Sequence, residues 1–177
     1  VLIAGSGAWF SEAGENIRKF VEQTHLPVFT HEVARGLIPD SHELCFGGII
    51  YKLNGASQRI NESDCVVLLD IEPDWRMDYG ESPLFPEDNA TIIHIDETGS
   101  RLGDRVPTDI GIVADVNTVL EQFIDHAQSF TWNKPDEWIK TLERANEEYQ
   151  AEFKSELESE ETPIAQGRIA SEIADII

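Results

Sequence analysis

Few residues in this chain have the type and spacing to do chemistry. Gly5-Ser6-Gly7 follows the apolar run Val1-Leu2-Ile3-Ala4 and precedes a helical pattern. A glycine turn in that position lets backbone amides approach a pyrophosphate at the start of a helix. The next glycine is Gly14 rather than one three residues after Gly7, so the three-glycine dinucleotide pattern is not met. Trp9 and Phe10 would also crowd an approaching phosphate. Two roles stay open, a plain tight turn and a nucleotide contact, and the tight turn is the favoured one. Asp96, with Glu97 beside it, ends a β-type run. An acid at a strand end can hold a ribose hydroxyl; Asp is also a common turn former. Gly5, Ser6, Gly7 and Asp96 are therefore the candidate cofactor-binding residues, as the lining of a vestigial nucleotide crevice.

Other chemistries fail on spacing. His25, His31, His42, His94 and His126 contain no i, i+4 pair, and no cysteine or acid completes a zinc set around His31 and His42. No metal ligand is expected. A Gly-x-Ser-x-Gly elbow is missing, so nothing presents an activated serine. Arg101 and Arg105 could bind an anion, but they sit in a run of Asp and Gly that reads as a surface turn. No catalytic residue is expected.

Short β-branched runs and amphipathic stretches alternate along residues 1–128. Strands are expected at 1–4, 26–30, 64–70, 91–96 and 110–113, and the apolar middle of 64–70 suits a strand buried on both faces. Helices are expected from Ser11 through Thr24, with Ile17, Phe20 and Val21 on one face. Two more follow: one over 49–60, with Ile49, Ile50, Leu53, Ala56 and Ile60 on one face, and one over 116–124. Residues 71–90 read as a long loop, the kind that is often functional. This alternation predicts an α/β fold: a Rossmann-like open parallel sheet of five or six strands with helices on both faces. Residues 131–177 carry no strand signal. Trp132, Trp138, Ile139, Leu142, Ala145, Tyr149 and Phe153 mark a charged helix, residues 156–162 an acidic hinge, and Pro163 a restart with Ile164, Ile169, Ile173 and Ile176.

The net charge of −21 argues against nucleic acid and anionic membrane surfaces, since both call for Lys and Arg. No apolar run approaches the roughly 20 residues of a membrane helix. Cys45 and Cys65 form no disulfide framework; Cys65, in an apolar run, reads as a buried thiol, and a reducing cytoplasmic setting fits. Residues 1–4 read as the inside of a strand and 173–177 as an unfinished end. A piece of a longer protein is therefore expected.

The order of certain segments carries more than any single motif. They are Val1-Leu2-Ile3-Ala4-Gly5-Ser6-Gly7-Ala8, Leu26-Pro27-Val28-Phe29-Thr30, and Gly36-Leu37-Ile38-Pro39-Asp40-Ser41-His42 with Gly47 after it. Then come Asp64-Cys65-Val66-Val67-Leu68-Leu69, Ile93-His94-Ile95-Asp96, and Val113-Ala114-Asp115-Val116 with Val119-Leu120. In this order they resemble the central domain of thiamine-diphosphate-dependent enzymes of the acetolactate synthase and benzoylformate decarboxylase type. Thr162-Pro163-Ile164-Ala165-Gln166-Gly167-Arg168-Ile169 looks like the lead-in to that family's pyrophosphate-binding domain.

The resemblance implies a central domain over 1–130 and a helical linker over 131–177. It implies a structural, non-catalytic role between pyrimidine and pyrophosphate domains. The parent enzyme would use thiamine diphosphate and Mg²⁺ to join or decarboxylate 2-oxo acids, as a homodimer or homotetramer. Neither cofactor is expected on this stretch alone, which has no Gly-Asp-Gly motif. Cys45-Phe46-Gly47-Gly48 stands where flavin-binding members carry Gly-Met-His-Gly, which argues against FAD. Asp70-Ile71-Glu72 stands where synthases have Gly-Ala-Arg. The competing reading is a stand-alone nucleotide-binding module for FAD, NAD or ADP. A weaker third is a protein-interaction module built on the aromatic, acidic arm.

Overall fold

Alternating strands and helical segments build one sheet. The structure is a computed structural model describing residues 1–87, 90–174 and 176. Six strands form it: β1 (Leu2–Ala4), β2 (Val28–Thr30), β3 (Cys45–Gly48), β4 (Cys65–Leu69), β5 (Thr91–Asp96) and β6 (Ile110–Val113). They lie in the order β3-β2-β1-β4-β5-β6, and every pair is parallel. The inner strands are mostly apolar because both faces are covered: every residue of β1 and β2 is buried, while the edge strand β6 is largely exposed.

Helices α1 (Ser6–Phe10) and α2 (Gly14–Thr24) follow β1. Helix α2 buries Ile17, Phe20, Val21 and Thr24, and stops at His25, which takes a left-handed conformation. Helix α3 (Val116–Ala127) follows β6, and the Asp115 carboxylate caps it by accepting from the Thr118 amide at 2.7 Å. Helices α2 and α3 pack together, with Phe20 and Phe123 ring centroids 5.8 Å apart. Strand order steps one way from β1 to β3 and the other way from β4 to β6. Right-handed crossovers then put α2 and the 3-10 segment Ala56–Glu62 on opposite faces. Phe29, Leu68 and Ile3 are fully buried between these layers; each such side chain contributes about 1.5–3 kcal/mol.

One expected element is corrected. Residues 49–60 are not a helix. The chain runs through β3, turns at 51–53, and enters the 3-10 segment Ala56–Glu62. Asn54 is the reason. Its side-chain amide donates to the carbonyls of Phe46 (2.7 Å) and Gly48 (2.9 Å), and its oxygen accepts from the Ser57 amide. Such local bonds compete with a helix. Ile49 and Ile60 are buried as their spacing suggested, but through loop packing. Strand β3 was hidden because Gly47 and Gly48 weaken the strand signal. The loop 71–90 contains a 3-10 segment, Trp75–Gly80, and is pinned by buried Ile71, Met77, Leu84 and Phe85; Asp88 and Asn89 lie outside the described residues. Cys45 and Cys65 are unpaired, and Cys65 is half-buried rather than fully so.

The arm forms α4 (Asp136–Leu157) and α5 (Gln166–Ala174), with the acidic hinge between them. Helix α4 buries only Ile139 and Leu142, yet it docks closely on its own domain. The Asn146 side chain accepts the Ala56 amide at 2.7 Å, and the Tyr149 hydroxyl donates to the Lys52 carbonyl at 2.7 Å. Gly55 permits this approach, since a Cβ there would overlap the Ala145 carbonyl. In the last segment, 173–177, Asp175 and Ile177 lie outside the described residues. No described helix is long and apolar enough to cross a membrane.

Candidate functional site

Strands β1 and β4 are neighbours, and the chain leaves them toward opposite sides of the sheet. In open α/β sheets this switch point is where ligands bind, outside the carboxyl ends of the strands. Here the two strand tails are pressed together. The Gly5 amide donates to the Leu69 carbonyl at 2.9 Å, and the Gly7 amide to the Asp70 carbonyl at 3.3 Å. A Cβ on Gly5 would overlap the Asp70 carbonyl and Ile71, and one on Gly7 would overlap the Asp70 side chain. Asp70 itself has φ +45°, a left-handed backbone that Asp tolerates better than most residues.

Behind Asp70 lies a buried polar cluster. His94 and Asp96 sit two residues apart on β5, so their side chains share one face. Both are almost completely enclosed. Asp96 Oδ1 accepts from the Thr98 amide at 2.6 Å and so shapes the turn after β5. Its Oδ2 has no hydrogen-bond partner, and neither does His94 Nε2, 3.8 Å away. Arg101 caps the cluster, with Nη1 at 3.6 Å from both Asp70 Oδ1 and Asp96 Oδ2. The Glu97 amide approaches Asp70 Oδ2 at 3.4 Å.

Burial, and next the Asp96 charge, push the Asp70 carboxyl above its ordinary range; the Glu97 amide and Arg101 oppose them. Burial pulls His94 below its ordinary value, against Asp96, the Ile71 backbone and Asp70. Burial thus favours the neutral imidazole, beside an acid that Arg101 faces.

A cavity of about 290 Å³ opens in front of this cluster, lined by Ser6, His31, Ile71, Tyr79, Arg101 and Arg105 among others. A chain of ion pairs joins the tails of β2 and β4 in its lining. His31, after β2, meets Asp74, after β4, at 3.2 Å, and Arg76 pairs with both Asp74 and Glu32. Burial alone would raise the Asp74 carboxyl, but the Arg76 amide, His31 and the Arg76 guanidinium bring it below its ordinary value.

The four residues singled out from the sequence meet in this corner. Gly5 and Gly7 pack against the β4 tail, Ser6 lines the cavity, and Asp96 lies beneath Arg101. Sequence reasoning missed Asp70, His94 and the role of Arg101. The i, i+2 pairing of His94 with Asp96 was a signal; the reach of Arg101 from its turn was not. Arg105 faces Glu72 and Asp104, and His42 faces Glu22. Among the described residues, no group of three or more His, Cys, Asp or Glu side chains is placed to hold a metal ion.

The arrangement is a doubly wound α/β domain whose switch point carries glycines and buried charges. The chain belongs to the family described as the thiamine pyrophosphate enzyme, central domain, whose model matches residues 1–123. It is 30% identical to 2-hydroxyacyl-CoA lyase 1 of Mus musculus over 161 residues, covering 88% of this chain and 26% of that protein. It is 31% identical to the acetolactate synthase large subunit of Lactococcus lactis over 148 residues, covering 83% of this chain and 25% of that protein. A probable acetolactate synthase of Mycobacterium bovis is 24% identical over 177 residues, covering 100% of this chain and 30% of that protein. The chain thus spans about a quarter of the length of the curated relatives it matches.

Proposed function

We propose that this domain is a structural spacer in a thiamine-diphosphate- and Mg²⁺-dependent enzyme that makes or breaks a carbon–carbon bond beside a carbonyl. The observation that carries the reading is the span of the family match. Residues 1–123 take in the whole sheet and most of α3. Two substrate classes are in view: the 2-oxo acids that the family resemblance implies, and the 2-hydroxyacyl-CoA thioesters that a relative's name gives. In this reading residues 1–130 are the central domain, and 131–177 form a linker toward a pyrophosphate-binding domain. Pyrimidine and pyrophosphate domains supply the chemistry, in a cytoplasmic homodimer or homotetramer. The inward-facing acids and the Arg101 cap are consistent with a role in holding shape. Gly5, Ser6, Gly7 and Asp96 then line a vestigial crevice without FAD.

The test is an assay of the polypeptide that carries this domain, with pyruvate and with a 2-hydroxyacyl-CoA as substrates. Turnover of either is expected, lost when thiamine diphosphate and Mg²⁺ are withheld and recovered on their return. Turnover that persists after both are removed would overturn the reading.

A further inference from the structure

We propose that Asp70 plugs the switch-point crevice: its side chain fills the space beside Gly7 that a nucleotide diphosphate needs, so the crevice takes no nucleotide while Asp70 stays in place. This deepens the vestigial-crevice reading above and is independent of the thiamine-diphosphate assignment.

Three observations carry it. The first is volume. Where a glycine turn serves a dinucleotide, its bare Cα lets the phosphates come close. Here the three atoms nearest a Cβ on Gly7 all belong to the Asp70 side chain, at distances that real Cβ atoms do not reach. The space a glycine leaves for a ligand is taken by the protein itself.

The second is hydrogen bonding. A phosphate at such a turn is held by free backbone amides. The Gly5 and Gly7 amides are already spent on the Leu69 and Asp70 carbonyls. Displacing them would break the contact that joins β1 to the tail of β4.

The third is charge. Asp70, Glu72, Asp74 and Asp96 surround the corner, and the nearby arginines are already engaged with them. Arg101 spans Asp70 and Asp96, so a phosphate could recruit it only by leaving buried Asp96 without a cation. His31 and Arg76 are likewise engaged, with Asp74 and Glu32. Residues that would cradle FAD, NAD or ADP are therefore present in the right corner but do not fit the group.

Titration of the chain with ADP and with inorganic pyrophosphate, followed by the amide resonances of Gly5 to Ala8, tests this. The native chain should show no saturable shift below about 1 mM ligand. Asp70→Gly removes the plug at a backbone conformation that suits glycine, and it removes one of the three carboxylates around Arg101. It should bind at least one of the two probes at least about tenfold more tightly. Binding by the native chain would overturn both the plug and the vestigial-crevice reading. A silent native chain with an equally silent, folded Asp70→Gly variant would overturn the plug alone. A second measurement needs no variant. As the Asp70 carboxyl titrates in the native chain, facing Asp96, Arg101 and His94, the Gly7 amide resonance should move with the same midpoint. A Gly7 resonance that ignores that titration would also overturn the proposal.

Discussion

Replacing Gly7 by alanine should have opposite effects on stability depending on what stands at residue 70. Gly7 lies inside α1 and does not need a left-handed backbone, so alanine is conformationally acceptable there. On helix propensity alone the change is favourable by up to about 1 kcal/mol. Against this stands the overlap of the new Cβ with the Asp70 side chain. Overpacking of this kind costs about 1–3 kcal/mol. With Asp70 present the overlap wins, and Gly7→Ala should destabilise by up to about 2 kcal/mol. For a chain of this size the full loss of about 2 kcal/mol would lower Tm by about 4–8 °C. In the Asp70→Gly background the clashing atoms are gone and only the propensity gain remains, so Gly7→Ala should raise Tm slightly. Thermal unfolding of the four proteins, followed by circular dichroism, gives a coupling free energy of about 1–3 kcal/mol. Additivity within about 0.5 kcal/mol, the behaviour of independent sites, would refute the packing of Gly7 on Asp70.

Three further outcomes follow from the structure. His94 is held below its ordinary value of 6.5 by burial first. The unfolded chain therefore takes up a proton near pH 6.5 that the folded state resists, and stability falls as pH drops through that value. Paired melts at about pH 7.5 and about pH 5.5 should show a smaller loss for His94→Gln than for the native chain; an equal loss would contradict it. Asp70 acts in the other direction and in a lower window: its stabilising contribution is present below 3.8 and is lost as pH rises through its raised folded value. In the arm, Asn146→Ala leaves the amide of fully buried Ala56 unpaired, at a cost of about 1–3 kcal/mol. Hydrogen exchange should quicken in α4 and in 56–62 while β1, β4 and β5 stay protected; unchanged protection in α4 would count against its docking.

What could be read from the sequence was what lies in local order. The runs at 1–4 and 65–69 are continuously apolar and 91–96 is rich in isoleucine because these strands lie inside the sheet, and that pattern survives in the sequence. Strand β3 was not legible, because its two glycines carry no strand signal and its neighbour β2 supplies the pairing. The helix wrongly expected at 49–60 shows the same limit from the other side: Asn54 decides that segment through bonds back to β3. At the switch point, the Gly5–Gly7 turn and Asp96 stood out by type and position. Asp70 did not, because its role rests on its contact with Gly7, which only the fold creates. Arg101 lay in a run of Asp and Gly, and only the fold brings it over Asp70 and Asp96.

The central claim is that this domain supports thiamine-diphosphate chemistry without holding the cofactor. Calorimetric titration of the isolated chain with thiamine diphosphate, in the presence of Mg²⁺, tests it most directly. No heat of binding above dilution is expected up to about 1 mM cofactor. A saturable, Mg²⁺-dependent isotherm with a micromolar Kd would contradict it.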